Sequence, residues 1–83
     1  MPEFMTLASN LKVIRKEMGE TQEIFAWHCD MSVEELSLLE RRRSDPKLST
    51  LQKVASYTNL TVSELLDRTT PITKKLKERN VIK

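Results

Sequence analysis

Apolar residues in this chain recur at intervals of three and four and nowhere alternate, and residues that cap or stop helices repeatedly interrupt the runs they form. That punctuation confines the chain to a set of short helices. Leu7, Leu11, Ile14 and Met18 mark a first helix from Thr6, with Lys12, Arg15, Lys16 and Glu17 on its other faces. Gly19 ends it without steric penalty, and Thr21 offers a hydroxyl to cap a second helix from about Gln22 to Cys29. Only Asp30 and Met31 intervene before Ser32, which caps a third segment with Glu34 and Glu35 in its first turn, where carboxylates favour the helix dipole. Val33, Leu36 and Leu39 form the inward stripe of that segment.

The run Arg41 to Pro46 has no apolar anchor and ends in a helix stop, so it reads as an exposed basic loop. Beyond it, Ser49 or Thr50 is expected to cap a fourth helix carrying Leu51, Val54 and Ala55, closed by a left-handed Asn59. Thr61 and Ser63 flank a short fifth helix with Val62, Leu65 and Leu66. Residues 1–5 are set aside as a leader and start, residues 6–67 form the folded domain, and residues 68–83 form a basic tail with some helical character. The fold class is thus all-α, five helices in one bundle. An 83-residue chain leaves room for one core, and its single cysteine forms no internal disulfide. Neither a membrane-length apolar run nor a secretory leader is present in these residues, which makes the cytoplasm the expected compartment. The formal charge of +2 is too small to name a partner by itself, so the placement of the cations decides.

Two helices joined by so short a connection, the first entered by Thr21-Gln22 and the second by Ser32, have the form of a helix-turn-helix pair, whose second helix is able to lie in a DNA major groove. The series Thr21-Gln22, Phe25-Ala26, Leu36-Ser37 and Leu39-Glu40, followed by Pro46, Leu48, Leu51, Val54, Ala55, Leu60, Val62, Leu65 and Leu66, resembles the phage-repressor type of helix-turn-helix domain, the XRE and Cro-like family, over about Leu7 to Leu66. The resemblance implies that Ala26 sits where the two helices cross. It also implies that Thr21 and Gln22 meet a phosphate at the start of the second helix, and that Ser32, Val33, Glu34, Ser37 and Leu38 face base edges or the flanking backbone. Arg41, Arg42, Arg43 and Lys47 would then line the sugar-phosphate beside the groove, and Arg15 would pair with Glu40 to hold the first helix against the third. Asp30 and Arg42 stand where the family commonly has glycine, and Thr58 where it has an apolar residue. The recognition segment carries Val33, Glu34, Glu35 and Leu38 in place of the usual Gln, Asn and Arg readers. Glu accepts from a cytosine amino group, and Val or Leu touches a thymine methyl.

Other chemistries have less to stand on. His28 and Cys29 are adjacent, hence on different helix faces, and no second His or Cys completes a metal site, so neither metal nor cofactor is expected. One His without an orienting partner supports no nucleophilic catalysis, and an enzyme is not expected. Cys29 packs inward as a structural thiol. Ile24 and Trp27 share a face that the family mostly leaves polar. Either Ile72 or Leu76 of the tail covers them, or they form a subunit or protein interface, in which Ile72 and Leu76 could also take part. The leading expectation is a DNA-binding regulator of repressor type that acts as a homodimer on double-stranded DNA. The alternative is a helix-turn-helix module used for protein binding, as in an antitoxin or anti-repressor.

Overall fold

The structure, a computed structural model, describes residues 2–79, so Met1 of the expected leader and Val81 and Ile82 of the expected tail lie outside the described residues. Its helices are α1 (Pro2–Glu17), α2 (Gln22–His28), α3 (Val33–Glu40), α4 (Leu48–Thr58), α5 (Val62–Leu66) and α6 (Ile72–Glu78), with no strand among the described residues. Thr21 and Ser32 cap α2 and α3 as their hydroxyls suggest, accepting from the Ile24 N–H at 3.2 Å and the Glu35 N–H at 3.0 Å. Thr61 and Glu64 close a reciprocal capping box on α5. The chain reverses through residues of positive φ: Gly19 at 71°, Asp30 at 55°, Arg42 at 60° and Asn59 at 57°. Three of these are not glycine, and each accepts a conformational cost of order 1 kcal/mol to turn the chain in so few residues.

α1 is the element on which the others converge: α3, α5 and α6 pack against it, while α2 lies on α3 and α4 on α5. Leu7, Leu11, Ile14, Phe25, Ala26, Leu36, Val54 and Leu65 are at most 2% exposed and form the centre of the core. The Phe25 ring meets Tyr57 edge-on at 5.6 Å. Cys29 is buried there too, and burial, with Glu20 beside it, pushes its thiol up to about 12. Thr58 is fully buried, and its hydroxyl is satisfied by donating to the Val54 carbonyl at 2.8 Å.

Several details depart from the sequence reading. α1 begins at Pro2 rather than Thr6, because proline is compatible with a first helical turn whose N–H groups have no partners in any case. Ser49 and Thr50 stand inside the first turn of α4 and do not cap it; Lys47 is the N-cap residue and makes no side-chain cap bond. Val33 is 42% exposed and not part of the inward stripe, since it lies about 120° around the helix from Leu39 at roughly 100° per residue.

The largest departure is α6, a sixth helix formed by the tail. Ile72 and Leu76 are 5% and 0% exposed, inserted between α1 and α5 rather than placed over Ile24 and Trp27 or at a subunit contact. Lys75 locks the helix in place: its Nζ ion-pairs with Asp67 at 2.7 Å and donates to the Glu64 carbonyl at 3.3 Å, while its stem is buried. Lys75 and Thr69 together hold the Asp67 carboxyl well below the usual carboxylate range. Glu64 is lowered as well, by the Thr61 N–H and by Arg79. Because Leu76 fills core space, Leu76→Ala should cost about 2–5 kcal/mol in urea denaturation with helix content retained. A loss below about 0.5 kcal/mol would show that α6 rests on the surface.

Candidate nucleic-acid interface

The turn between α2 and α3 is closed by main-chain bonds from Asp30 N–H to the Trp27 carbonyl and from Met31 N–H to the Ala26 carbonyl, 3.1 and 3.0 Å. Ala26 is 1% exposed, and its carbonyl is an acceptor that closes this turn. Along α3, the positions of Val33, Glu34, Ser37, Leu38 and the following Arg41 fall within about 140° of the helix circumference at roughly 100° per residue. Leu36 and Leu39 are buried on the other side, and Glu40 is buried at the C-terminal end of the helix. Ser32, Val33, Glu34 and Arg41 are exposed, with Ser37 and Leu38 half-buried between them, so α3 has one solvent face about two turns long.

Glu35 does not share that face: its Oε2 accepts from the Thr50 hydroxyl at 3.2 Å, tying the start of α3 to the start of α4. A second tie reaches the turn from α4, where Lys53 Nζ donates to the Asp30 carbonyl at 3.1 Å. Sequence periodicity holds no signal for either contact, since each joins residues 15 or more apart through side chains on polar faces. The outcome is one acidic side chain, Glu34, on the open face of α3.

Behind that face, Arg15 Nε lies 2.9 Å from Glu40 Oε2 and its Nη2 lies 3.1 Å from Oε1, a two-pronged pair in which Glu40 is 2% and Arg15 15% exposed. Gln22 Nε2 also donates to Glu40 Oε1 at 3.1 Å, and Arg15 Nη1 donates to the Glu20 carbonyl at 3.2 Å. One carboxylate therefore joins α1, the start of α2 and the end of α3. Gln22 has one amide hydrogen in this network and a second one left, beside the N-terminus of α2. The Thr21 hydroxyl oxygen is occupied as the cap acceptor.

The cations divide. Arg41 lies back along α3, its Nε 3.4 Å from the Ser37 carbonyl, and Arg43 and Lys47 are exposed in the loop that follows. Arg42, with positive φ, is exposed as well and also lines cavities against α1. Ile24 and Trp27 stay 47% and 74% exposed on the outer face of α2. His28 has neighbours the sequence did not disclose: its ring stacks on Tyr57 at 4.7 Å and its Nδ1 is 3.4 Å from Glu20 Oε1, while the Tyr57 hydroxyl donates to Glu20. Burial and that bond to Glu20 raise the Tyr57 phenol well above its ordinary value. No group of three or more metal-ligating side chains is gathered among the described residues.

These features, two capped helices joined by a tight main-chain-bonded turn and an outward face on the second, define a helix-turn-helix domain. The helix-turn-helix family model matches residues 11–65, well over half of the 83-residue chain, and the chain belongs to the XRE and Cro-like helix-turn-helix family. It is 41% identical over 63 residues to the HTH-type transcriptional regulator DdrOP3 of Deinococcus deserti, a match covering 76% of this chain and 49% of that protein. It is also 37% identical over 76 residues to the immunity repressor protein of Bacillus phage phi105, covering 92% of this chain and 53% of that one. The chain spans about half the length of the curated relatives it matches. No solved structure matches it.

Removing the shared carboxylate tests its structural weight. Glu40→Ala leaves Arg15 and Gln22 without their acceptor and should cost about 1–3 kcal/mol in urea denaturation. Replacing both charges, Arg15→Met with Glu40→Leu, should cost less than the single change, because no buried charge is then left unpaired. A loss near zero for Glu40→Ala would mean that the three helices are held by apolar contacts alone.

Proposed function

We propose that the chain is the DNA-binding part of a transcriptional regulator of repressor type, which lays the open face of α3 in the major groove of double-stranded DNA. The observation that carries this reading is the clustering of Ser32, Val33, Glu34, Ser37 and Leu38 on one exposed face of a capped helix that runs directly into Arg41 and Arg43. In this arrangement Glu34 accepts from a cytosine amino group, Val33 and Leu38 meet thymine methyl groups, and Ser32 and Ser37 bond to base edges or the backbone. Gln22, with Thr21 beside it, donates to a phosphate at the α2 N-terminus, and Arg41, Arg43 and Lys47 follow the sugar-phosphate and supply most of the affinity. A second copy engages the other half of a two-fold site, because one short helix reaches too few base pairs to specify an operator. The names of the two relatives, a transcriptional regulator and an immunity repressor, support the same reading.

A second reading, a helix-turn-helix used to bind protein, draws on Ile24 and Trp27, which remain uncovered after α6 has docked elsewhere. The two readings separate in a fluorescence titration against random-sequence duplex at several salt concentrations. Under the DNA reading, affinity falls steeply with salt, and Arg41→Ala with Arg43→Ala weakens binding to all sequences while lowering the slope of log affinity against log salt by roughly 1–2. An unchanged slope in the double variant removes the basic loop from the interface and favours the protein-binding reading.

A further inference from the structure

Two adjoining cavities of about 370 and 260 Å3 share Met5, Ser9 and Arg42 in their walls. Arg68 and Thr70 complete the first, and Lys12 lines the second. Two carboxylates also border the cavities, but each is already committed inward: Asp67 to Lys75 at 2.7 Å, and Glu40 to Arg15 at 2.9 Å. Arg42 lines both cavities, Arg68 the first and Lys12 the second, and none of the three has an ion-pair partner among the described residues. Cations from α1, the α3 terminus and the linker between α5 and α6 thus border two adjoining cavities, where a bound anion would gain from each of them.

We propose that Arg42, Arg68 and Lys12 form a binding site for a small phosphate-bearing polyanion, separate from the duplex-facing side of α3. The chemistry suits such a ligand: planar guanidinium groups match phosphate oxygens in pairs, Lys12 adds a point charge, and the Ser9 and Thr70 hydroxyls are donors at the rim. Three positive charges ask for two or more negative ones, which favours a diphosphate or a phosphate ester with a second anionic group over a monocarboxylate. The larger cavity, about 370 Å3, lies within the range that small-molecule sites occupy. The left-handed backbone at Arg42 turns this side chain toward α1 and away from the row formed by Arg41 and Arg43. Occupancy would clamp the end of α3 to α1 and to the α5–α6 linker, and so stabilise the fold independently of DNA.

Thermal melts of the chain with inorganic pyrophosphate, at constant ionic strength held with sodium chloride, test the assignment. A saturable rise in midpoint is expected, about 5 °C or more at ten times the dissociation constant. Lys12→Gln and Arg68→Gln, both at exposed positions, should each raise the pyrophosphate concentration for half the shift at least about fivefold. Lys16→Gln, on α1 but outside the cavities, should leave it unchanged. An absent shift, or one equal in all four proteins, overturns the proposal. Loss of duplex affinity in Lys12→Gln and Arg68→Gln with the pyrophosphate shift intact overturns it as well, since these cations would then serve the DNA backbone.

Discussion

The buried Glu40 carboxylate is the constraint on which the arrangement depends. A charge at 2% exposure is tolerated only where its oxygens are bonded, and here Arg15 supplies two bonds and Gln22 a third. Because the partners come from α1 and from the first residue of α2, the bonds fix the end of α3 relative to both. The start of α3 is fixed from the other side, by Glu35 on Thr50 and, through the turn, by Lys53 on Asp30. The open face of α3 is therefore held at both ends by polar contacts, in addition to the core packing of Leu36 and Leu39.

Short helices need sharp reversals, and this chain makes them at positions where glycine would be the unstrained choice. Asp30 and Arg42 adopt left-handed backbone between and after the two helices of the motif. At Asp30 the conformation shortens the turn so that Ser32 caps α3 directly, and at Arg42 it redirects one side chain of an otherwise continuous basic run. The energy required at these sites is supplied by the core around α1, to which α6 adds Ile72 and Leu76.

Much of this was legible in the sequence because it depends on local chemistry. The Thr21 and Ser32 caps, the stop at Gly19, left-handed Asn59 and the inward stripe of α1 each follow from one residue type at one spacing. The pairing of Arg15 with Glu40 came only with the family resemblance, since nothing local links positions 25 apart. The place where α6 docks is not legible in the same way: the sequence offers Ile72 and Leu76 as candidates to cover Ile24 and Trp27, but nothing local points them to α1 and α5, and a Lys75 buried to its head group breaks the usual link between charge and exposure. The separation of Glu34 from Glu35 was illegible for a different reason. Both are acidic residues in a first turn, and only the position of Thr50 on α4 draws one of them away from solvent.

The central claim is that the solvent face of α3, positioned by Glu40 and its partners, is the surface that meets nucleic acid. Backbone amide chemical shifts recorded during titration with a short duplex locate the contact residue by residue. The account predicts that the largest changes fall at Gln22, at Ser32 to Leu38 and at Arg41 and Arg43, with Ile72 to Glu78 of α6 unmoved. Changes centred on Ile24 and Trp27, or spread evenly over the exposed lysines of α1 and α6, would contradict it.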